Sequence, residues 1–287
     1  MKPLELAYSK VPNMGDLLNE YIFECVFQVP YVHSESITKY EVTGIGSFMD
    51  MLFTGPEKEF NPIKTAIRNL VYHHCNNKCI TWGTGFLEDY SSRRTGLIRN
   101  NVSFLAVRGR KTHECIEKIT SQRINPIYGD GGILAPKIFE HRIPKKYKMG
   151  LIPHFREKDI KLVFDLKAAN ADLHIVDLQK NPIDVIKEIA SCEYIYSSSL
   201  HGLILADGFR IPNMRIYMSS APRGGSFKFD DYYSAYNLQI EPHVISSPDD
   251  LPGINSIIDN YIITDEMVTK MQNELYEVMK QYLSQRM

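Results

Sequence analysis

Glu193-Tyr194-Ile195-Tyr196-Ser197-Ser198-Ser199-Leu200-His201-Gly202-Leu203-Ile204-Leu205-Ala206 is the stretch that decides the fold. Its first part reads as an apolar strand over residues 194–196, and its last part as an apolar helix over 201–209. A strand that feeds a helix through a short polar loop is the βα unit of a parallel sheet. The loop also carries chemistry. The first N–H groups of a helix have no partner within it, and the dipole there favours an anion such as phosphate or carboxylate. The serines can cap the helix and donate hydrogen bonds, and Gly202 leaves room for a ligand to approach. Taken singly, Ser199 reads as a cap and His201 as a packed residue. Three anion-friendly features in one loop make His201 the leading functional candidate.

The same alternation runs outward in both directions. Residues 4–8 read as a strand, followed by the loop Val11-Pro12-Asn13-Met14-Gly15-Asp16. A helix then starts near Asp16, with Leu17, Leu18, Tyr21, Ile22 and Cys25 on its buried face. Further strands fall at 42–45, 79–82 and 102–107, with Gly44, Gly46, Gly83 and Gly85 at strand ends. Residues 141–148, polar, basic and broken by Pro144, read as a linker. A second series follows, with strands at 149–153, 173–176, 194–196 and 214–217 and helices at 158–167, 182–190 and 201–209. From Thr264 onward, Met267, Met271, Leu275, Met279 and Tyr282 recur at helical spacing, which predicts an amphipathic helix. The expected architecture is α/β, with one unit over 1–143 and another over 149–263. Ligands of open α/β sheets bind beyond the carboxyl ends of the strands, so the cleft between the two units is where functional loops should meet.

Composition narrows the function classes. The 287 residues are 44% hydrophobic and 23% charged, with a formal net charge of -1. Nucleic-acid binding usually needs a basic excess, so no such partner is expected. Cys25, Cys75, Cys79, Cys115 and Cys192 are odd in number and irregular in spacing, which fits reduced thiols in a reducing compartment. The first ten residues hold no apolar signal core, and no run approaches the ~20 residues of a membrane span. A cytoplasmic protein is expected, with peripheral work at the inner face of a membrane left open.

Other candidates lie in loops that should face the cleft. Arg108 follows a strand and precedes a helix from Arg110, where its guanidinium would reach an anion in bidentate fashion. In the loop of Asn13, Gly15 and Asp16, Asn13 or Asp16 either caps the first helix or faces the cleft across from His201. Asp130, flanked by glycines, is a turn residue or a site residue. His154 ends a strand and faces the cleft by topology. His73-His74 with Cys75 and Cys79 has a metal-like content, but adjacent histidines do not share a helix face, and no metal is expected. Arg93-Arg94 and Lys145-Lys146 read as solvated charge, or as a surface for an anionic membrane.

Seven segments in fixed order carry a resemblance. They are Asn13-Met14-Gly15-Asp16, Gly44-Ile45-Gly46-Ser47, Thr81-Trp82-Gly83-Thr84-Gly85, Val107-Arg108-Gly109-Arg110-Lys111-Thr112, Tyr128-Gly129-Asp130, Ser198-Ser199-Leu200-His201-Gly202 and Phe227-Lys228-Phe229-Asp230-Asp231-Tyr232. Together they make the chain resemble the polysaccharide pyruvyltransferase family, and the last is similar to its bacterial exopolysaccharide branch. The resemblance implies two Rossmann-like domains facing a cleft, as in glycosyltransferase-B folds, with the helix at 264–287 packed back on the first. It implies phosphoenolpyruvate as donor substrate, no cofactor, and a pyruvate ketal built across two hydroxyls of a sugar acceptor, either in the polysaccharide or in a lipid-linked oligosaccharide. His201 would be the acid or the phosphate-stabilising group, with a pKa near neutrality, and Asp16 or Asp130 the base. Arg108, Ser199, Leu200, His201, Gly202, Lys228 and Arg223 would hold the donor, and Asn13, Gly15, Asp16 and His154 the acceptor. Some members have arginine where this chain has Ser199, so Lys228 or Arg223 must supply the missing charge. The rival readings are a glycosyltransferase using a nucleotide sugar and a non-catalytic sugar- or phosphate-binding protein.

Overall fold

The computed structural model describes residues 2–36, 38–53, 67, 70–71, 74–91, 99 and 101–286. His73, Arg93 and Arg94 lie outside the described residues.

Parallel pairing dominates, as apolar runs alternating with helices dictate. In the first half, β1 (Leu4–Ala7), β2 (Tyr31–His33), β3 (Val42–Thr43), β4 (Cys79–Thr81) and β5 (Val102–Phe104) form one parallel sheet in the order β2-β1-β3-β4-β5. A separate parallel pair, β6 (Ala106–Val107) with β7 (Ile127–Tyr128), adjoins it through single bridges at Thr84. In the second half, β8 (Tyr147–Ile152), β9 (Leu173–Ile175), β10 (Cys192–Ser197), β11 (Asn213–Tyr217) and β12 (His243–Val244) form a parallel sheet in the order β12-β11-β10-β8-β9. The helices are α1 (Met14–Tyr21), α2 (Asp50–Phe53), α3 (Arg110–Thr120), α4 (Lys161–Ala169), α5 (Pro182–Ala190), α6 (Leu200–Gly208), α7 (Phe227–Ser234), α8 (Ile254–Asn260) and α9 (Asp265–Ser284).

Helix α6 positions the site. It is apolar on all sides, so it is buried on all sides, and His201 is its sole residue that is not. It packs on the 3-10 segment Gly131–Ile138 from the first half. One apolar cluster therefore joins Leu18, Trp82 and Ile133 to Ile152, Ile195 and Leu203. At its far end Asp207 accepts hydrogen bonds from Asn213 (2.7 Å), Tyr232 (2.8 Å) and Tyr261 (3.0 Å), which anchors α6 to β11 and α7.

Helix α9 starts behind Thr264, whose side chain accepts from the Met267 N–H. Its buried stripe is Val268, Met271, Leu275, Met279 and Leu283, with Met267 and Tyr282 half-buried beside it. Trp82 Nε1 donates to Leu275 O, and Arg286 pairs with Glu41.

Three local expectations change. Residues 147–148, read as linker, open β8. Cys25, expected on the buried face of α1, is exposed, because the chain leaves α1 for a π-helical turn over Ile22–Val26 that rotates it outward. The segment 227–232 was read only as a motif, and it opens α7.

Candidate active site

The loop between β10 and α6 is braced internally. Ser197 Oγ accepts from Ser199 N–H (3.0 Å) and lies 3.0 Å from Ile152 O. Ser198 Oγ accepts from His154 N–H (2.9 Å) and donates to Glu157 Oε2 (2.5 Å). Ser199 is the N-cap by position and makes no side-chain cap bond. Ser197 and Ser198 thus tie this loop to the end of β8 and to the loop that follows it. Gly202 is likewise a packing residue. A Cβ there would lie 2.4 Å from Ser197 Oγ and 3.0 Å from the Ile152 side chain, so the expectation of ligand access at Gly202 is corrected. Leu200 is buried and offers only its backbone.

His201 is held between the halves. On one side sits Gly15, where a Cβ would come within 1.9 Å of His201 Nδ1. The first loop needs glycine at that point because the imidazole lies flat against its backbone. On the other side His201 Nε2 is 4.0 Å from Asp130 Oδ2. Asp130 is fully buried, and its Oδ1 accepts from the Gly132 N–H at 2.9 Å, which is the turn role. Its Oδ2 and His201 Nε2 are both buried and, among the described residues, without a hydrogen-bond partner. The turn reading of Asp130 thus rests on Oδ1, and Oδ2 is the oxygen that faces His201.

Charge sets the proton inventory. Burial, then the Asp231 and Asp16 charges, push Asp130 up to about 7 against the pull of the Gly132 N–H and Arg108. Burial, then the Lys228 and Arg108 cations and His154, push His201 down to about 3. The expectation of a near-neutral histidine is therefore corrected: a sequence cannot show burial beside two cations, and both effects disfavour imidazolium. Burial, then Lys228 and Arg156, hold His154 at about 4. Asp16 accepts from Asn13 Nδ2 at 2.7 Å and is raised by burial to about 6.

Lys228 is the cation the site leaves unpaired. Its side chain is 8% exposed, and among the described residues its Nζ makes no hydrogen bond or ion pair. Burial foremost, then Arg108 and Arg156, lower it to about 8, against the attraction of Asp16 and Glu157.

Arg108 is corrected. Expected in an open cleft, it is fully buried: Nε donates to Asp231 Oδ2 (2.9 Å), Nη1 to Ser47 Oγ (3.0 Å) and Nη2 to Phe86 O (2.5 Å). It acts on His201 and Asp130 through its field. Arg223 is exposed, and none of the charges shifting His201, Asp130, Asp16 or Lys228 comes from it.

Two residues escaped the sequence reading. Glu157 is fully buried and accepts from Ser198 and Ser219 (2.6 Å). It sits in the charged run Phe155-Arg156-Glu157-Lys158, which looks solvated. Asp231 accepts from Arg108, from Thr112 N–H (2.8 Å) and from Thr112 Oγ1 (2.7 Å). Its only signal was its place in the Phe227–Tyr232 segment. Among the described residues no group of three His, Cys, Asp or Glu side chains is set to hold a metal, and Cys75 and Cys79 are buried thiols. Nor is any helix there long and apolar enough to cross a membrane.

The parallel sheets make this an α/β protein, and its candidate site brings together Lys228, unpaired among the described residues, with Asp130 and with His201 at the start of α6. Residues 13–220 match the family model described as Polysaccharide pyruvyl transferase, and the chain belongs to that family. It is 30% identical over 117 residues to the "Succinoglycan biosynthesis protein ExoV" of Rhizobium meliloti (strain 1021), which covers 39% of this chain and 36% of that protein. It is 29% identical over 141 residues to the "Uncharacterized protein L143" of Acanthamoeba polyphaga mimivirus, covering 46% and 48% of the two. The chain thus spans about a third to a half of the length of these curated relatives.

Proposed function

We propose that this chain transfers pyruvate from phosphoenolpyruvate to two hydroxyls of a sugar in a polysaccharide or its lipid-linked repeat, forming a ketal. We place this chemistry on two Rossmann-like domains of glycosyltransferase-B type, 1–143 and 149–263, with 264–287 returning to the first. The observation that carries the proposal is Lys228. Lys228 makes no hydrogen bond or ion pair among the described residues, and Asp16 and Glu157 only partly offset its burial, so a ligand that brings negative charge would stabilise it. It lies in a site whose other groups can move a proton, and phosphoenolpyruvate brings several negative charges.

The reaction needs one proton added to C3 of the donor, which leaves C2 electron-poor. A sugar hydroxyl adds to C2 and loses its proton, phosphate departs, and the second hydroxyl closes the ring with loss of another proton. At neutral pH Asp130, raised to about 7, holds its proton about half of the time, and His201, lowered to about 3, is unprotonated. A donor phosphate beside His201 favours imidazolium, so donor binding draws the proton from Asp130 across the 4.0 Å gap to the histidine. His201 is then the acid toward C3 and Asp130 its proton store. Asp16, raised toward neutrality in the first turn of α1, would accept a hydroxyl proton, with Asn13 holding its carboxylate. The membership of an exopolysaccharide-type family supports a sugar acceptor, and the relative named for succinoglycan biosynthesis agrees with it.

Calorimetry with phosphoenolpyruvate and, separately, nucleotide sugars tests this. Selective binding of phosphoenolpyruvate that is lost in Lys228→Met supports the proposal. Selective binding of a nucleotide sugar turns it into a glycosyltransferase.

A further inference from the structure

A cavity of about 420 Å³ opens beside the candidate donor site and is used by nothing described above. Its size falls in the ~300–1,000 Å³ range of small-molecule pockets. Ser198 and Glu157 form its inner wall, and Ser198 precedes the N-cap of α6. Phe229, the residue after Lys228, forms another wall. The pocket thus shares the β10–α6 loop and helix α7 with the candidate donor site. We infer that this pocket, with Arg215, Tyr217, Ser219, Ser220, Phe229 and Glu241 in its lining, binds a neutral saccharide unit of the acceptor.

Arg215 is the first argument. It is 5% exposed, and its Nη1 is fixed by Asp230 Oδ1 (3.1 Å) and Ile240 O (2.8 Å). Its Nε and Nη2 donate to no acceptor among the described residues, although the side chain lines the pocket. A rigid guanidinium edge with unused donors suits sugar hydroxyl oxygens. Around it stand further hydrogen-bonding groups: the Ser219 and Ser220 hydroxyls, the Tyr217 phenol and the Glu241 carboxylate. Tyr217 is 44% exposed, and its ring can cover the C–H face of a sugar.

Charge decides against a phosphate, and competition with uridine monophosphate decides between a sugar and a nucleobase on the Tyr217 ring. The charged lining residues are Arg215, Glu157 and Glu241, one cation against two anions, which disfavours a phosphate here. A nucleobase would want a stacking platform. The Phe229 ring is already covered by the Arg215 guanidinium at 4.4 Å and has Lys228 Nζ 5.4 Å from its centroid. A neutral polyhydroxyl fits what is left. The inference rests on reading the chain as a sugar-modifying transferase, and it assigns the acceptor to the second half of the molecule.

Saturation-transfer NMR on the whole chain tests it, with galactose, glucose and lactose as probes, uridine monophosphate as competitor, and phosphoenolpyruvate titrated separately. Wild type should bind at least one of the three sugars. Tyr217→Ala should weaken that sugar about fivefold or more, Tyr217→Phe should keep it within about twofold, and phosphoenolpyruvate affinity should stay within about twofold in both. Circular dichroism melts confirm that both variants fold. No sugar bound by wild type, or sugar affinity unchanged in Tyr217→Ala, overturns the inference. Displacement of the sugar by tighter-binding uridine monophosphate also overturns it and assigns a nucleoside pocket. Sugar binding that follows Tyr217 without any phosphoenolpyruvate binding supports the pocket while removing the donor reading.

Discussion

Lys228→Met should make this protein more stable and less able to bind its donor. Moving a lysine from its ordinary 10.5 to about 8 corresponds to roughly 2.5 pKa units, or about 3 kcal/mol at 1.36 kcal/mol per unit. The direction matters. The folded state holds this proton less tightly than the unfolded chain, so the penalty is fully present below pH 8 and fades between about 8 and 10.5. Methionine keeps the apolar stem and removes the charge. Allowing for relaxation and water entry, the gain at neutral pH is of order 1–3 kcal/mol, or a rise of several degrees in Tm for a chain of this length. The same substitution removes a charge-assisted contact of about 1.5–3 kcal/mol to a bound anion, which lowers phosphoenolpyruvate affinity about 10- to 100-fold. Thermal melts at neutral pH and near pH 10, with calorimetry beside them, read both effects. The melting advantage should shrink at the higher pH. A variant that melts lower than wild type while binding the donor equally well refutes the reasoning, because Lys228 would then have a structural partner.

Three further outcomes follow from the geometry. Asp130→Asn should lower turnover by ~100-fold and abolish the limb of the pH–rate profile near pH 7, above which wild-type activity falls as Asp130 loses its proton; an unchanged profile would remove Asp130 from proton handling. Gly15→Ala drives a Cβ into His201 Nδ1, so steady-state kinetics should show about a tenfold loss or more in kcat, with a nearly normal melt. Arg108→Ala breaks a fully buried pair with Asp231 and should cost about 3–5 kcal/mol in urea unfolding, with loss of stability rather than of donor contact as its main effect.

Much of the scaffold was legible because parallel strands announce themselves as short apolar runs and helices by their caps. Residues 182–190 were read as a helix and are one to the residue. His201 was legible because strand, serines, histidine and glycine put it at the start of α6. Arg108 was misplaced because what turns it inward, Asp231, lies 123 residues further along. Glu157 was missed because its burial depends on Ser198 and Ser219 closing over a run that looks solvated. The histidine's protonation was misjudged for the same kind of reason: proximity to Lys228 and Arg108 is a property of the folded chain. The isolation of Lys228 is a fact about which side chains fail to reach it, and no local pattern encodes that.

The central claim is that the donor is phosphoenolpyruvate and the product a sugar ketal. The most direct test incubates the protein with phosphoenolpyruvate and with saccharide extracted from cells that lack the gene, then follows saccharide mass and phosphate together. The account predicts a saccharide that gains the mass of one pyruvate less one water, with one phosphate released per transfer, and neither change with His201→Ala. A saccharide that gains a hexose from a nucleotide sugar while phosphoenolpyruvate stays intact would contradict it.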